Sequence, residues 1–318
     1  MDSAASLVMH TALITHPDCL DHDTGPGHAE RPERLRAVLA TLAADEFAGL
    51  HRAEAPLASR EQLARAHPES YVDRILAIRP APGERVVLDP DTAMSAGSAA
   101  AALRGAGGAV AAVDLVMSGT VQAAFVATRP PGHHAEPSVA MGFCLFNNVV
   151  VAAQHARAHW GLSRVAIADF DVHHGNGTQD MVAADPNLFF VSSHQSPCYP
   201  GTGAADERGM FDNVLNAPLS PGSGSVPFRR VWSRTLLPAI EAFAPELLIV
   251  SAGFDAHRDD PLAQLELDVA DYDWITRELA GLAGRCCGGR LISVLEGGYD
   301  LDALAASAAT HVRALMQH

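Results

Sequence analysis

The chain has no lysine: all 22 of its basic residues are arginine. A Schiff-base nucleophile or a lysine general base is therefore excluded. Cysteine is scarce, five in 318 residues, with Cys286 and Cys287 adjacent. So few in so long a chain do not make a disulfide framework, and a reducing cytoplasm is the simplest expectation. Positive charge is also short: 37 acidic against 22 basic residues leave a net charge of −15. With no basic tract to neutralise phosphates, nucleic acid is not expected as a partner. The acidity favours cationic substrates, though only as a weak steering argument.

Long apolar runs are missing as well. The Ala- and Gly-rich stretch 93–112 is interrupted by Arg104, and only Gly105 to Val113 lie uncharged between Arg104 and Asp114. A membrane span needs about 20 apolar residues, so the stretch reads as a packed helix and no membrane is expected as a partner. The N-terminus has Asp2 and no basic region before an apolar core, so no signal peptide is expected. No Pro/Ser-rich linker, repeat or low-complexity tract divides the chain. One α/β domain covering 1–318 is expected. No long insertion marks an oligomer interface, and the oligomeric state stays open.

What is present is a series of short apolar runs, each ending in chemically rich residues. Val121 to Thr128 precedes Arg129-Pro130-Pro131-Gly132-His133-His134. Val165 to Ala168 precedes Asp169-Phe170-Asp171-Val172-His173-His174-Gly175-Asn176-Gly177. Leu188 to Val191 precedes Ser192-Ser193-His194. Leu247 to Ser251 precedes Ala252-Gly253-Phe254-Asp255, and Leu291 to Leu295 precedes Glu296-Gly297-Gly298-Tyr299. Helical patterns cover Asn148 to His159, Phe228 to Phe243, Val269 to Leu282 and Leu301 to Met316. Alternating strands and helices imply a mostly parallel sheet covered on both faces. In such sheets the active site lies beyond the carboxyl ends of the strands.

Two carboxylates and two imidazoles after a buried strand are costly unless paired or bound to metal. Residues two apart share a side of a strand, so Asp171 and His173 read as ligands of a divalent metal and Asp169 as an orienting carboxylate. Asp255 is the natural third ligand, in preference to a helix N-cap or a partner for His257 or Arg258. Three protein ligands with an open position suit a catalytic zinc. The two-carboxylate, one-imidazole set also admits Fe(II), Co(II) or Mn(II). Of the adjacent His133 and His134, either can be a general base and then acid if it faces an activated water. Asp169 can orient one and Asn176 the other, so the two titrate differently. Tyr299, after a Gly-Gly hinge, can donate a hydrogen bond to a developing oxyanion. His155 and His159 have metal-ligand spacing but read as surface residues. His16, His22 and His28 read as loop or rim residues.

Taken in order, these stretches resemble the zinc-dependent histone deacetylase family, in particular its class II-like bacterial members and the acetylpolyamine amidohydrolases. Glu30-Arg31-Pro32-Glu33-Arg34, Gly142-Phe143-Cys144-Leu145-Phe146-Asn147-Asn148 and Pro200-Gly201-Thr202-Gly203 complete the match. The resemblance implies an arginase-like fold with a central sheet of about eight strands. It implies hydrolysis of an N-acetyl amide to free amine and acetate by a metal-activated water. Asp171, His173 and Asp255 would bind Zn2+. His134 would be the main general base and acid, with His133 an electrostatic partner held by Asp169. Tyr299 would polarise the amide carbonyl; its presence implies activity, since class IIa relatives carrying histidine there lose most of theirs.

The resemblance also implies a narrow channel walled by Phe143 and Tyr199, the second a mild departure from the phenylalanine of many relatives. Gly142 would accept the substrate amide N–H through its carbonyl. A structural K+ would lie near Asp169, Asp171, His173, Ser192 and Ser193, and Arg34 would line a cavity through which acetate leaves. Asn176 marks the class II-like branch, since class I relatives carry Asp. Polyamine-selective relatives of that branch place a Glu seven residues after the last metal ligand; here the position is Leu262. Leucine offers no pull on a second ammonium, which favours acyl-lysine in peptides or proteins. An acetylated polyamine or other small amide is the alternative, because some bacterial relatives use other acidic residues. A metal-containing binding module is disfavoured by the intact His133, His134 and Tyr299. A two-manganese ureohydrolase is disfavoured because ligands for only one metal are evident.

Overall fold

A computed structural model describes residues 11–317; Asp2, and with it the reading of the N-terminus, lies outside them. Ten strands are present among the described residues: β1 Thr11–Thr15, β2 His51–Glu54, β3 Val86–Asp89, β4 Thr92–Met94, β5 Ala123–Val126, β6 Val165–Asp169, β7 Leu188–Gln195, β8 Val214–Leu219, β9 Leu247–Ala252 and β10 Leu291–Leu295. The helices are α1 Pro32–Thr41, α2 Arg60–Ala64, α3 Glu69–Ala77, α4 Ser98–Met117, α5 Asn148–Trp160, α6 Asn176–Val182, α7 Ser225–Val231, α8 Leu237–Phe243, α9 Val269–Cys286 and α10 Leu301–Met316.

Eight strands form one sheet in the order β2-β1-β5-β10-β9-β6-β7-β8, and every pairing is parallel. β3 and β4 make a separate antiparallel hairpin. The central strands are apolar because both faces are covered. Successive residues of β9 divide between two cores: Leu248 and Val250 pack on one face with α9 and α10, and Leu247 and Ile249 on the other with α4 and α5. This is the period-two alternation of a strand, with apolar residues in both phases.

α4 is the one described helix long and apolar enough by composition to cross a membrane, and 61% of its apolar window is buried inside the fold. Ala109, Ala112, Val113 and Val116 place it in the core beside β1 and β5, so the packed-helix expectation matches. The helix expected over Phe228–Phe243 is two segments. α7 passes through a wider turn at Trp232–Leu236 into α8, where Pro238 lacks the N–H that would continue the ladder.

One histidine reading is corrected. His155 is not a surface residue: it is buried, with Nε2 2.8 Å from Asp114 and Nδ1 2.9 Å from Arg65. His159 is exposed. His22 is a loop residue, as expected, and is buried there with Nδ1 2.7 Å from Ser98 Oγ. His28 does sit at a rim, edge-on to Phe143 with centroids 4.9 Å apart.

Candidate active site

Strands β5, β10, β9 and β6 are neighbours in the sheet, so the segments leaving their carboxyl ends meet above its centre. β6 stops at Asp169, earlier than strand alternation through His173 requires. Side chains take over there: Asp169 Oδ1 accepts the Asp171 N–H at 3.0 Å, and Asp171 Oδ1 accepts the His173 N–H at 2.9 Å. These consecutive turns of the Asx kind keep Asp171 and His173 on one side. His174 points elsewhere, to Thr202 and Gln179.

Asp171, His173 and Asp255 each offer a ligand atom within 4.8 Å of the others, and all three are buried. His173 Nδ1 lies 3.1 Å from Asp255 Oδ2 and 3.2 Å from Asp171 Oδ1. The remaining acceptors are fixed by backbone: Asp255 Oδ1 takes the Val172 N–H at 2.9 Å and Asp171 Oδ2 the Gly297 N–H at 2.8 Å. Asp255 is thus neither a helix cap nor a partner of Arg258, which pairs with Asp268. Glycine is obligatory around this pair. A Cβ at Gly253 would lie 1.9 Å from Asp171 Oδ2, and one at Gly297 2.0 Å from Asp255 Oδ2. Two carboxylates this close in a dry interior repel, and burial together with Asp171 raises the pKa of Asp255. A divalent cation held by two oxygens and one imidazole nitrogen fits this donor set.

The His133 and His134 rings are tilted against each other with centroids 4.0 Å apart and have different partners. His133 Nδ1 faces Asp169 Oδ2 at 3.0 Å; His134 Nδ1 faces Asn176 Oδ1 at 2.8 Å. Burial disfavours charge on both rings. For His133 the carboxylates of Asp171 and Asp169 outweigh it and push the pKa up to about 10. For His134 burial and the positive charges of His133 and His173 outweigh the opposing pull of Asp171 and Asn176 and hold the pKa well below the usual value. The two environments thus favour charge on His133 and disfavour it on His134.

Tyr299 is buried against the Arg34 guanidinium, 4.7 Å from its ring centroid. Burial raises its phenol well above the usual pKa, so it stays a donor. Arg34 is itself fully buried, donating to the carbonyls of Gly298 and Glu296 and to Glu30. Ser192 pairs in register with Asp169 on β7. Its hydroxyl meets His194, whereas that of neighbouring Ser193 accepts from Trp232, so the two serine side chains diverge.

A cavity of about 190 Å³ leads down to these groups, lined by His134, Gly142, Phe143, His173, Tyr199, Leu262, Tyr299 and Asp91. The four expected channel residues are therefore all in one wall system. Phe143 adopts φ +69°, a costly conformation for a bulky residue, held by its N–H donating to Thr92 Oγ1 at 2.9 Å. A larger cavity, about 300 Å³, lies at the opposite end of the strands beside Gln122, Gly284 and Leu315 and has no titratable side chain in its wall.

Four acidic residues escaped the sequence reading. Asp91, in the β3–β4 turn, lines the channel and accepts the Gly142 N–H at 3.1 Å. Glu136 accepts from the Asn176 amide at 2.9 Å. Glu296 accepts the N–H groups of Gly132 and His133, and burial pushes its pKa up to about 7. Asp260 accepts from the Tyr299 backbone. Glu296 directly follows the apolar run Leu291 to Leu295, and Asp260 lies two residues before Leu262; Asp91 follows a Pro in an Asp-Pro-Asp turn, a signal for a turn only.

Comparison with known proteins agrees with this geometry. The model of the histone deacetylase domain matches residues 28–315. A histone deacetylase-like amidohydrolase of Pseudomonas aeruginosa is 40% identical over 317 residues, covering 92% of this chain and 83% of that protein. A probable deacetylase of Archaeoglobus fulgidus is 36% identical over 300 residues, with 92% and 82% covered. The solved HD domain of HDA15 superposes with a TM-score of 0.90 at 35% identity, covering 97% of this chain and 88% of that one.

Proposed function

This chain belongs to the histone deacetylase family and has its arginase-like α/β fold, and from that premise we propose that it hydrolyses N-acyl amides of acyl-lysine in peptides or proteins. The products are the free amine and acetate or a longer carboxylate. The single observation that carries this reading is the convergence of the buried Asp171, His173 and Asp255 with His134 and Tyr299 at the base of one narrow cavity.

Asp171, His173 and Asp255 would hold Zn2+, with Fe2+ or Co2+ compatible with the same donors; when bound, the ion supplies Lewis acidity to the acyl carbonyl and to water. His134, neutral and oriented by Asn176, takes a proton from the attacking water as its oxygen bonds the acyl carbon. It returns that proton to the amine nitrogen as the C–N bond breaks. His133, held charged by Asp169, stabilises negative charge nearby. Tyr299 donates to the developing oxyanion. Phe143 and Tyr199 sandwich the linear side chain, Leu262 stands at the mouth, and Gly142 offers its carbonyl to the scissile N–H. Arg34 supports a route for the released acetate, and K+ near Asp169, Asp171, His173, Ser192 and Ser193 completes the reading. The net charge and cysteine usage support a cytoplasmic setting with no nucleic-acid partner.

A second reading is kept because of Asp91. The channel wall carries this carboxylate, so the lack of an acid at Leu262 does not leave the mouth without one, and an acetylated polyamine gains a counter-charge there. Acetate release from an acetyl-lysine peptide and from acetylputrescine, with wild type and Tyr299→Phe, tests the proposal. Peptide turnover strongly reduced in the variant, to a measurable residual rate, supports it. Turnover of the polyamine alone replaces acyl-lysine by a small amine, and turnover of neither sinks the deacylase reading.

A further inference from the structure

Tyr299 stands in a poorly braced place. β10 ends at Leu295 and α10 begins at Leu301, and the residues before the tyrosine are Gly297 and Gly298, the latter at φ +123°. A turn with two glycines has much backbone freedom to lose. A phenol carried on it needs its backbone fixed by something outside the turn.

The structure shows what fixes it. The peptide unit joining Gly298 to Tyr299 is gripped at both ends. Its carbonyl accepts from Arg34 Nε, and its N–H donates to Asp260 Oδ2 at 2.7 Å. The same carboxylate oxygen faces the Asp300 N–H at 3.4 Å, at the start of α10. The other oxygen, Oδ1, accepts the Leu262 N–H at 3.0 Å. Asp260 is 6% exposed, so these bonds are made out of water, where an acceptor that is lost is not replaced by solvent. One buried carboxylate thus ties the turn bearing Tyr299 to the segment bearing Leu262.

The geometry points to Asp260 as a positioning residue for the reaction: by holding the Tyr299 N–H against the pull of Arg34 on the neighbouring carbonyl, it fixes the peptide plane and so the direction of the phenol. This rests on the deacylase reading above. Asp260 does not itself line the cavity and meets the wall residues Tyr299 and Leu262 through their backbone N–H groups, so its effect on the chemistry passes through Tyr299. A displacement of about 1 Å at a reacting group costs on the order of 100-fold.

The test is a double-mutant cycle on the zinc-loaded enzyme, measuring kcat and KM for whichever of the two acetylated substrates turns over. Asp260→Asn keeps the shape but sets an amide group against a backbone N–H. It is expected to lower kcat by about 10- to 100-fold with KM changed by less than about 3-fold. In a Tyr299→Phe background the same substitution is expected to cost less than about 3-fold, because the phenol it positions is gone. Amide exchange in residues 296–300 should quicken in Asp260→Asn. Asp260→Glu, which keeps the charge but displaces the anchor, runs the same cycle if the Asn variant does not fold. An equal loss in both backgrounds, or a loss confined to KM, overturns the inference. Turnover of only the polyamine changes the substrate of the reading and leaves the cycle intact; turnover of neither removes both.

Discussion

Asp169 Oδ2 lies 3.0 Å from His133 Nδ1, a carboxylate partner on one of two adjacent imidazoles whose neighbour, His134, leans instead on the neutral amide of Asn176. The asymmetry divides the labour: the ring with the carboxylate keeps its proton, and the ring with the amide is free to exchange one. Asn176→Asp would place a carboxylate on His134, favour its charged form and raise its pKa. The acid limb of kcat/KM is then expected to move to higher pH, because the base must be deprotonated before it acts. His134→Ala should lose about 10²- to 10⁴-fold in kcat, the usual weight of a general base. An unshifted limb in Asn176→Asp would assign the base elsewhere.

Removal of the metal should cost both activity and stability. Asp171 and Asp255 are buried with ligand atoms within 4.8 Å, and without a cation their repulsion is offset only in part, by His173, by His133 and by the Val172 and Gly297 N–H groups. A ligand that binds only the folded chain stabilises it by about 4 kcal/mol at a thousand times its Kd. Treatment with a chelator is expected to lower the Tm and abolish turnover, and added Zn2+ or Co2+ to restore both. Asp255→Asn should defeat restoration. A Tm indifferent to the chelator would mean that these three residues hold no tight ion.

Leu262 is 38% exposed in the channel wall, so a charge placed at this position would face the channel and the solvent at once. Two opposite charges about 4 Å apart in water attract by about 1 kcal/mol, roughly 5-fold in kcat/KM. Leu262→Glu is expected to raise the ratio of acetylputrescine to acetyl-lysine peptide turnover by about that factor. Asp91→Asn should lower it by a similar one. An unchanged ratio in both variants would show that the second ammonium does not reach the mouth.

The central half of this molecule could be read from the chain because burial on both faces makes strands β5, β6, β9 and β10 plain apolar runs, and because charged groups at their ends are too costly to be accidental. The edge strands gave no such signal. β2 is His-Arg-Ala-Glu, half exposed, and β8 carries Asn216 and Pro218, tolerated only at an edge. The supporting acids were hidden for another reason. Asp260 and Glu296 accept backbone N–H groups from segments 39 and 164 residues away, and such pairing has no local pattern. Gly297 read as a hinge, whereas the structure assigns it to close approach of two carboxylates.

Two buried histidines outside the metal-ligand set contribute a pH dependence of stability. His67 Nε2 accepts the Asn147 N–H at 2.9 Å while Nδ1 meets the Pro137 carbonyl at 3.1 Å, an arrangement that requires the neutral ring. Burial holds its pKa down at about 4. His311, between Thr276 and Ser293 hydroxyls, is held by burial at about 3. In the unfolded chain both titrate near 6.5. Between pH 6.5 and about 4 the unfolded state therefore binds more protons at these sites, and their contribution to stability, full above pH 6.5, is lost as pH falls. Each group contributes a slope of about 1.4 kcal/mol per pH unit inside that window. Burial also pushes Asp260 and Glu296 up to about 7, and these act in the opposite sense, binding protons in the folded state as pH falls from 7 toward 4. The total dependence therefore mixes signs, and the difference between variants isolates one site. His67→Gln keeps an acceptor for Asn147 and cannot titrate. Its urea midpoint is expected to be lower than wild type at pH 7.5 and to fall less steeply between pH 6 and 4.5. Parallel curves for the two proteins across that range would show that His67 does not take up a proton on unfolding.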